Sequence, residues 1–295
     1  MKNILYATDF SKNAENAFMF ALKLAEKNHT DLTMLHIFEN RTVWAYPSSM
    51  DPFEMKREAI KAWKNQLQKL FEQYQTDVKV SYLAVENSSV VKGILSVIRK
   101  HDPELIVTGT RGKSKVKEVI MGSTTKALVK KSPIPVLAIP EHAVYKGFKD
   151  ILYTSDFQDT DIQAIEQMID IVKLYKPEIR LVHVSNFDNF KGYEKMEWFE
   201  ELLKENIDYQ KITFQLLLSY NILDRLKSYM KQFEFDMLVM LEKEREGIFD
   251  ELFHYDLVRK MEFHSKIPIL SFNEYYLRTM TNQDAEKTGG IKQEI

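Results

Sequence analysis

Apolar residues in this chain fall into two kinds of run. Short continuous ones, such as Ile4-Leu5-Tyr6, Leu105-Ile106-Val107 and Val136 to Ile139, suit strands buried on both faces. Longer ones recur every three or four residues. Ala14, Ala17, Phe18, Ala21, Leu22 and Ala25 predict a helix with Ser11 as its N-cap. The two kinds alternate. Strands are expected at 3–8, 31–38, 77–85, 105–109 and 136–139. A second helix should start at Asp51-Pro52-Phe53-Glu54, which offers a cap, a proline at the first position and an acid at the third. Met55, Ala59, Ala62, Trp63, Leu67, Leu70, Phe71 and Tyr74 mark its apolar face. A third begins near Ser88 or Ser89 and runs on Val90, Val91, Ile94, Leu95 and Ile98. Strand–helix alternation predicts a parallel sheet covered on both faces, with right-handed crossovers.

The chain then repeats itself. ILYATDF at 4–10 returns as ILYTSDF at 151–157, with five of seven positions identical. His36 and His183 share the same offset of 147, whereas Pro135 and Pro268 are 133 apart, so the second copy is shorter in its middle. A repeat of this length means two duplicated domains. We expect them at 1–142 and 148–275, with a polar tail at 276–295. The short linker 142–147 implies domains that pack together. Second-copy strands are expected near 150–155, 179–184, 211–218, 236–241 and 268–272. Its helices should lie near 160–175, 192–206, 219–233 and 248–264.

Glu104 to Pro140 carries the candidate chemistry. It reads strand, glycine loop, helix, strand, with Gly109, Gly112 and Gly122-Ser123-Thr124 in the loop and at the helix start. Glycines let backbone amides approach a ligand, and amides at 122–124, free at a helix N-terminus, would favour an anion such as phosphate. A Walker A loop ending in Gly112-Lys113-Ser114 needs its first glycine at 107, where Val107 stands. That reading is rejected.

The spacing G-x2-G-x9-G-S, with the opening ILYATDFS, resembles the ATP-binding branch of the universal stress protein family. The likeness covers 2–140 well and 149–273 more weakly. It implies two tandem doubly wound α/β domains of the adenine nucleotide alpha hydrolase-like type with flavodoxin-like layering. Each would have a five-stranded parallel sheet of order 3-2-1-4-5. Strands 1 and 4 then meet at the switch point, so Thr8-Asp9 and Thr108-Gly109 would converge on one crevice. The resemblance assigns Asp9 to the adenosine, with Ala7 (where the family usually has proline) and Thr8 beside it. Ile37 would lie against the base, and Thr108 and Gly109 by the ribose and first phosphate. Gly112, Gly122, Ser123 and Thr124 would hold the phosphates, with charge from Arg111. The implied ligand is ATP, with or without magnesium. The implied pairing runs through the fifth strands within one chain, and a homodimer is open.

Plainer readings stand beside these. Asp9 could simply cap its loop, the glycines could be turn residues, and Arg111 could belong to a solvated face. His36 and His183 read as structural. At the 133 offset Gly109, Gly112, Gly122 and Ser123 become Glu242, Arg245, Tyr255 and Asp256, so the second copy should not bind ATP this way.

Composition narrows the classes. A net charge of -2 gives no general drive toward nucleic acid or anionic membrane, and without cysteine neither disulfides nor thiolate catalysis arise. No signal segment or membrane span is evident, so the cytoplasm is expected. No motif places a catalytic base or nucleophile. The leading expectation is a nucleotide-regulated stress-response protein. A nucleotide-free interaction scaffold and a slow ATPase are the alternatives.

Overall fold

The computed structural model describes residues 1–39, 51–110, 121–186, 191–243 and 266–279. The chain divides into two compact units, one of Met1–Leu128 with Val136–Ala143, the other of Val129–Pro135 with Val144–Ile295.

The first unit runs β1 (Asn3–Ala7), α1 (Lys12–Asn28), β2 (Asp31–Phe38), α2 (Pro52–Glu72), β3 (Val80–Glu86), α3 (Val90–His101), β4 (Leu105–Gly109), α4 (Ser123–Lys131) and β5 (Val136–Ile139). The second runs β6 (Asp150–Thr154), α5 (Asp159–Val172), β7 (Glu178–Ser185), α6 (Lys191–Asn206), β8 (Ile212–Leu218), α7 (Ile222–Gln232), β9 (Met237–Glu242) and β10 (Ile269–Asn273). A 3-10 turn at Lys173–Tyr175 follows α5. The first unit's strands lie in the order β3-β2-β1-β4-β5 and the second's in the order β8-β7-β6-β9-β10. Both are the expected 3-2-1-4-5, and within each unit the strand pairs are parallel.

Local chemistry sets the helix starts. Ser11 accepts the Ala14 amide, Asp51 the Phe53 amide and Ser89 the Lys92 amide. Each oxygen satisfies a donor that the first helical turn leaves without an intrahelical partner. Helix α1 closes on His29 in the left-handed conformation (φ 52°), with its amide on Ala25 and Glu26 carbonyls. All six predicted apolar positions of α1 are buried, together with Phe20 and Leu24.

Helix α2 departs from expectation. Only Ala59 and Leu67 are fully buried, and Ala62 is exposed. The cause is position: α2 covers β3, the edge strand, whose own residues are mostly half-exposed. The predicted helix at 248–264 and the tail from 280 fall outside the described residues.

The first core is aromatic where α1 meets α2. Phe18, fully buried, lies 5.4 Å from Tyr6 and 5.0 Å from Tyr74, centroid to centroid, with Phe71 edge-on at 6.5 Å. Truncation would leave a cavity that rigid neighbours cannot fill. We expect Phe18→Ala to lower unfolding free energy by about 3–5 kcal/mol, read from urea denaturation of the intact chain.

Candidate functional site

Strands β1 and β4 are neighbours, with Ala7 opposite Thr108. Helices leave the sheet in opposite senses on either side of β1, which opens a crevice at the strands' carboxyl ends. A cavity of about 260 Å3 lies there. It is bordered by Ala7, Thr8, Asp9, Ile37, Thr108, Gly109, Gly122, Ser123 and Thr124. These come from four separate stretches of chain, and all were candidates on sequence. The other two candidates, Arg111 and Gly112, lie outside the described residues.

The loop after β1 is held by its own bonds. Thr8 Oγ1 accepts the Phe10 amide at 3.0 Å, and Phe10 sits in the left-handed region (φ 59°). Asp9 Oδ1 accepts the Ser11 amide at 3.0 Å. Asp9 therefore caps its loop and borders the cavity at once. His36 Nδ1 donates to the Thr8 carbonyl at 2.8 Å, and its ring packs on Trp63 (4.4 Å) and Phe10 (4.8 Å). The histidine holds backbone.

Opposite stands the start of α4. Contrary to expectation, the Gly122 amide is not free: it donates to the Thr110 carbonyl at 2.7 Å. This bond closes the chain back onto the end of β4. Thr125 Oγ1 adds a bond to the Gly109 carbonyl at 2.9 Å. The first bond of the α4 ladder runs from the Lys126 amide to the Gly122 carbonyl, so the amides of Ser123, Thr124 and Thr125 precede it. These carry the positive end of the helix dipole. Gly109 packs on Asn13, where an added Cβ would meet the side-chain nitrogen at 2.9 Å.

Sequence reasoning missed the apolar end. Leu35, Val90 and Ile94 line it beside Ile37, with Ala14 and Thr125 also on the wall. Gly93 was the available signal. A Cβ at that position would come within 2.8 Å of Ile37, so a glycine inside α3 lets the helix press against the end of β2.

The second unit keeps the frame and changes the contents. Ser155 Oγ accepts the Phe157 amide at 2.8 Å, Phe157 has φ 53°, and His183 Nδ1 donates to the Ser155 carbonyl at 2.8 Å. Register corrects the sequence alignment by one residue. Ile4 faces Leu105 and Ile151 faces Met237, so the offset in this strand is 132. Gly109 thus corresponds to Leu241, and Glu242 corresponds to Thr110. The extra residue lies after β9, because β10 keeps the 133 offset. Arg245, Tyr255 and Asp256 lie outside the described residues.

Three wall positions have grown larger, Ala7 to Thr154, Ala14 to Asp161 and Gly109 to Leu241, and just beyond the wall Thr110 becomes Glu242. Asp161 is almost fully buried and accepts from Tyr153 Oη (2.8 Å), Ser155 Oγ (2.9 Å) and the Gln158 amide (3.0 Å). Asp156, the counterpart of Asp9, pairs with Lys243 and lies 3.7 Å from His183 Nδ1. The cavity beside Asp156 opens elsewhere, toward His183, Gly192 and Trp198, and no residue of β9 lines it.

Comparison with known proteins follows these features. The sequence model of the Universal stress protein family matches residues 1–140. A Staphylococcus saprophyticus protein named for the same family is 30% identical over 162 residues, covering 53% of this chain and 94% of its own. The universal stress protein of Methanocaldococcus jannaschii is 26% identical over 156 residues, 47% of this chain and 94% of its own. Among solved structures, a universal stress protein from Archaeoglobus fulgidus superposes with a TM-score of 0.66 at 18% identity. It covers 92% of this chain and 98% of its own, a likeness of fold.

Burial pushes the Asp161 carboxyl above its ordinary range, outweighing its hydrogen bonds and the nearby Lys243 charge. The folded state then holds a proton that the unfolded chain releases. Stability contributed here is greatest at low pH and falls as pH rises from the ordinary carboxylate value through the raised one. We expect this slope in urea titrations as pH rises above the ordinary carboxylate range, and its loss in Asp161→Asn.

Proposed function

The chain belongs to the universal stress protein family, and from that premise we propose that its first unit binds ATP as a regulatory ligand while its second unit does not. One observation carries this reading: residues 7–9, 37, 108–109 and 122–124 border a single cavity at the switch point. Its two ends differ in the way a nucleotide does. Leu35, Ile37, Val90 and Ile94 offer an apolar slot for a base, and the amides of Ser123 and Thr124 offer an anion site. Between them Asp9 can accept a ribose hydroxyl. Gly122 leaves the wall without a side chain where phosphates would pass. Magnesium belongs to this reading only as an ion carried by the phosphates.

Binding without turnover is the reading the lining favours. Asp9 is the one titratable side chain among the described residues around the cavity, and neither lysine nor histidine joins it there. Among the described residues that leaves no paired acid and base for phosphoryl transfer. In the second unit, Asp161 and Leu241 take the space of Ala14 and Gly109, and Lys243 already neutralises Asp156. A rival reading, in which both units serve as a nucleotide-free platform, draws on those replacements.

Nucleotide released on denaturing freshly purified protein separates the two. We expect about one adenine nucleotide per chain, and Gly122→Asp to weaken ATP about a hundredfold or more by placing a carboxylate among phosphates. ATP at a hundred times its Kd should raise unfolding free energy by about 2.7 kcal/mol. Protein that carries no nucleotide and ignores ATP in titration makes the platform reading correct. Unchanged affinity in a folded Gly122→Asp protein overturns the site.

A further inference from the structure

Helices α2 and α6 hold equivalent places, each following the second strand of its unit and covering the third. Their charges are opposite. Over Pro52–Glu72, α2 carries five lysines or arginines against three glutamates. Over Lys191–Asn206, α6 carries three lysines against five glutamates. The two helices therefore differ in sign, at net +2 and −2, in a chain whose total is only -2.

The charges are also sorted by face. Arg57, Lys61 and Lys64 follow one flank of α2 and, with Ile60 and Tyr82 of the edge strand, line a groove of about 500 Å3 that contains no carboxylate. Lys56 pairs with Glu86, but none of those three cations forms an ion pair among the described residues. On α6 the buried side is Gly192, Phe199 and Leu203, and the opposite side presents Glu194, Glu197 and Glu201, all exposed. Glu200 is tied to Lys204, whereas these three form no ion pair among the described residues. Trp198 stands among them, 46% exposed.

We infer that the groove on α2 receives the acidic face of α6 from a second copy of the chain. Spacing matches as well as sign. The cations fall at intervals of four and three residues, the acids at three and four. Two antiparallel helices then bring Lys64 to Glu194, Lys61 to Glu197 and Arg57 to Glu201, each row spanning about 10.5 Å. Trp198 would lie on Ile60 and the aliphatic stems of the cations, which supply apolar area and a cation–π contact. An identical α2 cannot occupy the groove, since like charges would meet. Nucleic acid fits less well, because Tyr82 is engaged edge-on with Phe71 at 6.3 Å instead of standing free for stacking. The inference is independent of the nucleotide reading.

Sedimentation of the full chain tests it. Self-association is expected at about 50 mM salt and should weaken about tenfold or more by about 300 mM. Lys61→Glu with Lys64→Glu should dissociate the protein at low salt, and so should Glu197→Lys with Glu194→Lys. The fourfold variant, with both helices reversed, should associate again. A mass that stays constant with salt and concentration overturns the inference. So do pairwise reversals that change nothing, or a fourfold variant that stays dissociated.

Discussion

Parallel strands cannot be joined by tight turns, so each connection must cross a face of the sheet, and right-handed crossovers fix which face. When the strand order runs 3-2-1-4-5, the crossover from β1 to β2 and the crossover from β3 to β4 pass over opposite faces of the sheet. The backbone groups at the carboxyl ends of β1 and β4 are then roofed by neither helix. Everything specific to this chain is a response to that uncovered place. In the first unit it stays open, walled by small residues. In the second, larger and charged side chains stand at several of the equivalent positions.

The two responses share one frame. In both units a hydroxyl at the end of the first strand accepts an amide two residues on, an aromatic residue takes a left-handed conformation, and a histidine from the second strand holds the strand's last carbonyl. Left-handed conformation is uncommon for bulky residues. Here Phe10 packs on His36 and Trp63, and Phe157 on His183 and Phe199. Buried contact offsets the backbone strain. Tyr6 and Tyr153 show how little the contents need to change. The same phenol donates to the Ala14 carbonyl in one unit and to the Asp161 carboxylate in the other.

Much of this was legible in the sequence. The bounds of β2 and β5 match their apolar runs, and Ser11, Asp51 and Ser89 each cap as their residue types suggest. Nine candidates meet at one cavity because motif spacing and the switch-point rule are both backbone properties. What sequence could not show was tertiary. Periodicity marks which face of α2 is apolar but not that its neighbour is a half-exposed edge strand. The Gly122 amide looks free until the Thr110 carbonyl is placed against it. The one-residue error at Glu242 arose because no motif pins β9, so the position of an insertion was visible only in the ladder.

The repeated frame also limits what a ligand can do. The bonds that shape the loop after β1 recur after β6, where Asp161 accepts from Ser155 and Asp156 pairs with Lys243. If a ligand were required to hold this loop, the second copy would need a different loop to fold. It keeps the same one. The crevice is therefore preorganised by backbone and histidine, and a nucleotide entering the first unit would spend little of its binding free energy on ordering those residues. A coupling between binding and any signal must then act beyond β1 and its loop, through elements the frame does not fix. Helix α4 is the nearest such element, because its exposed amides would change their electrostatic surroundings most when an anion arrives.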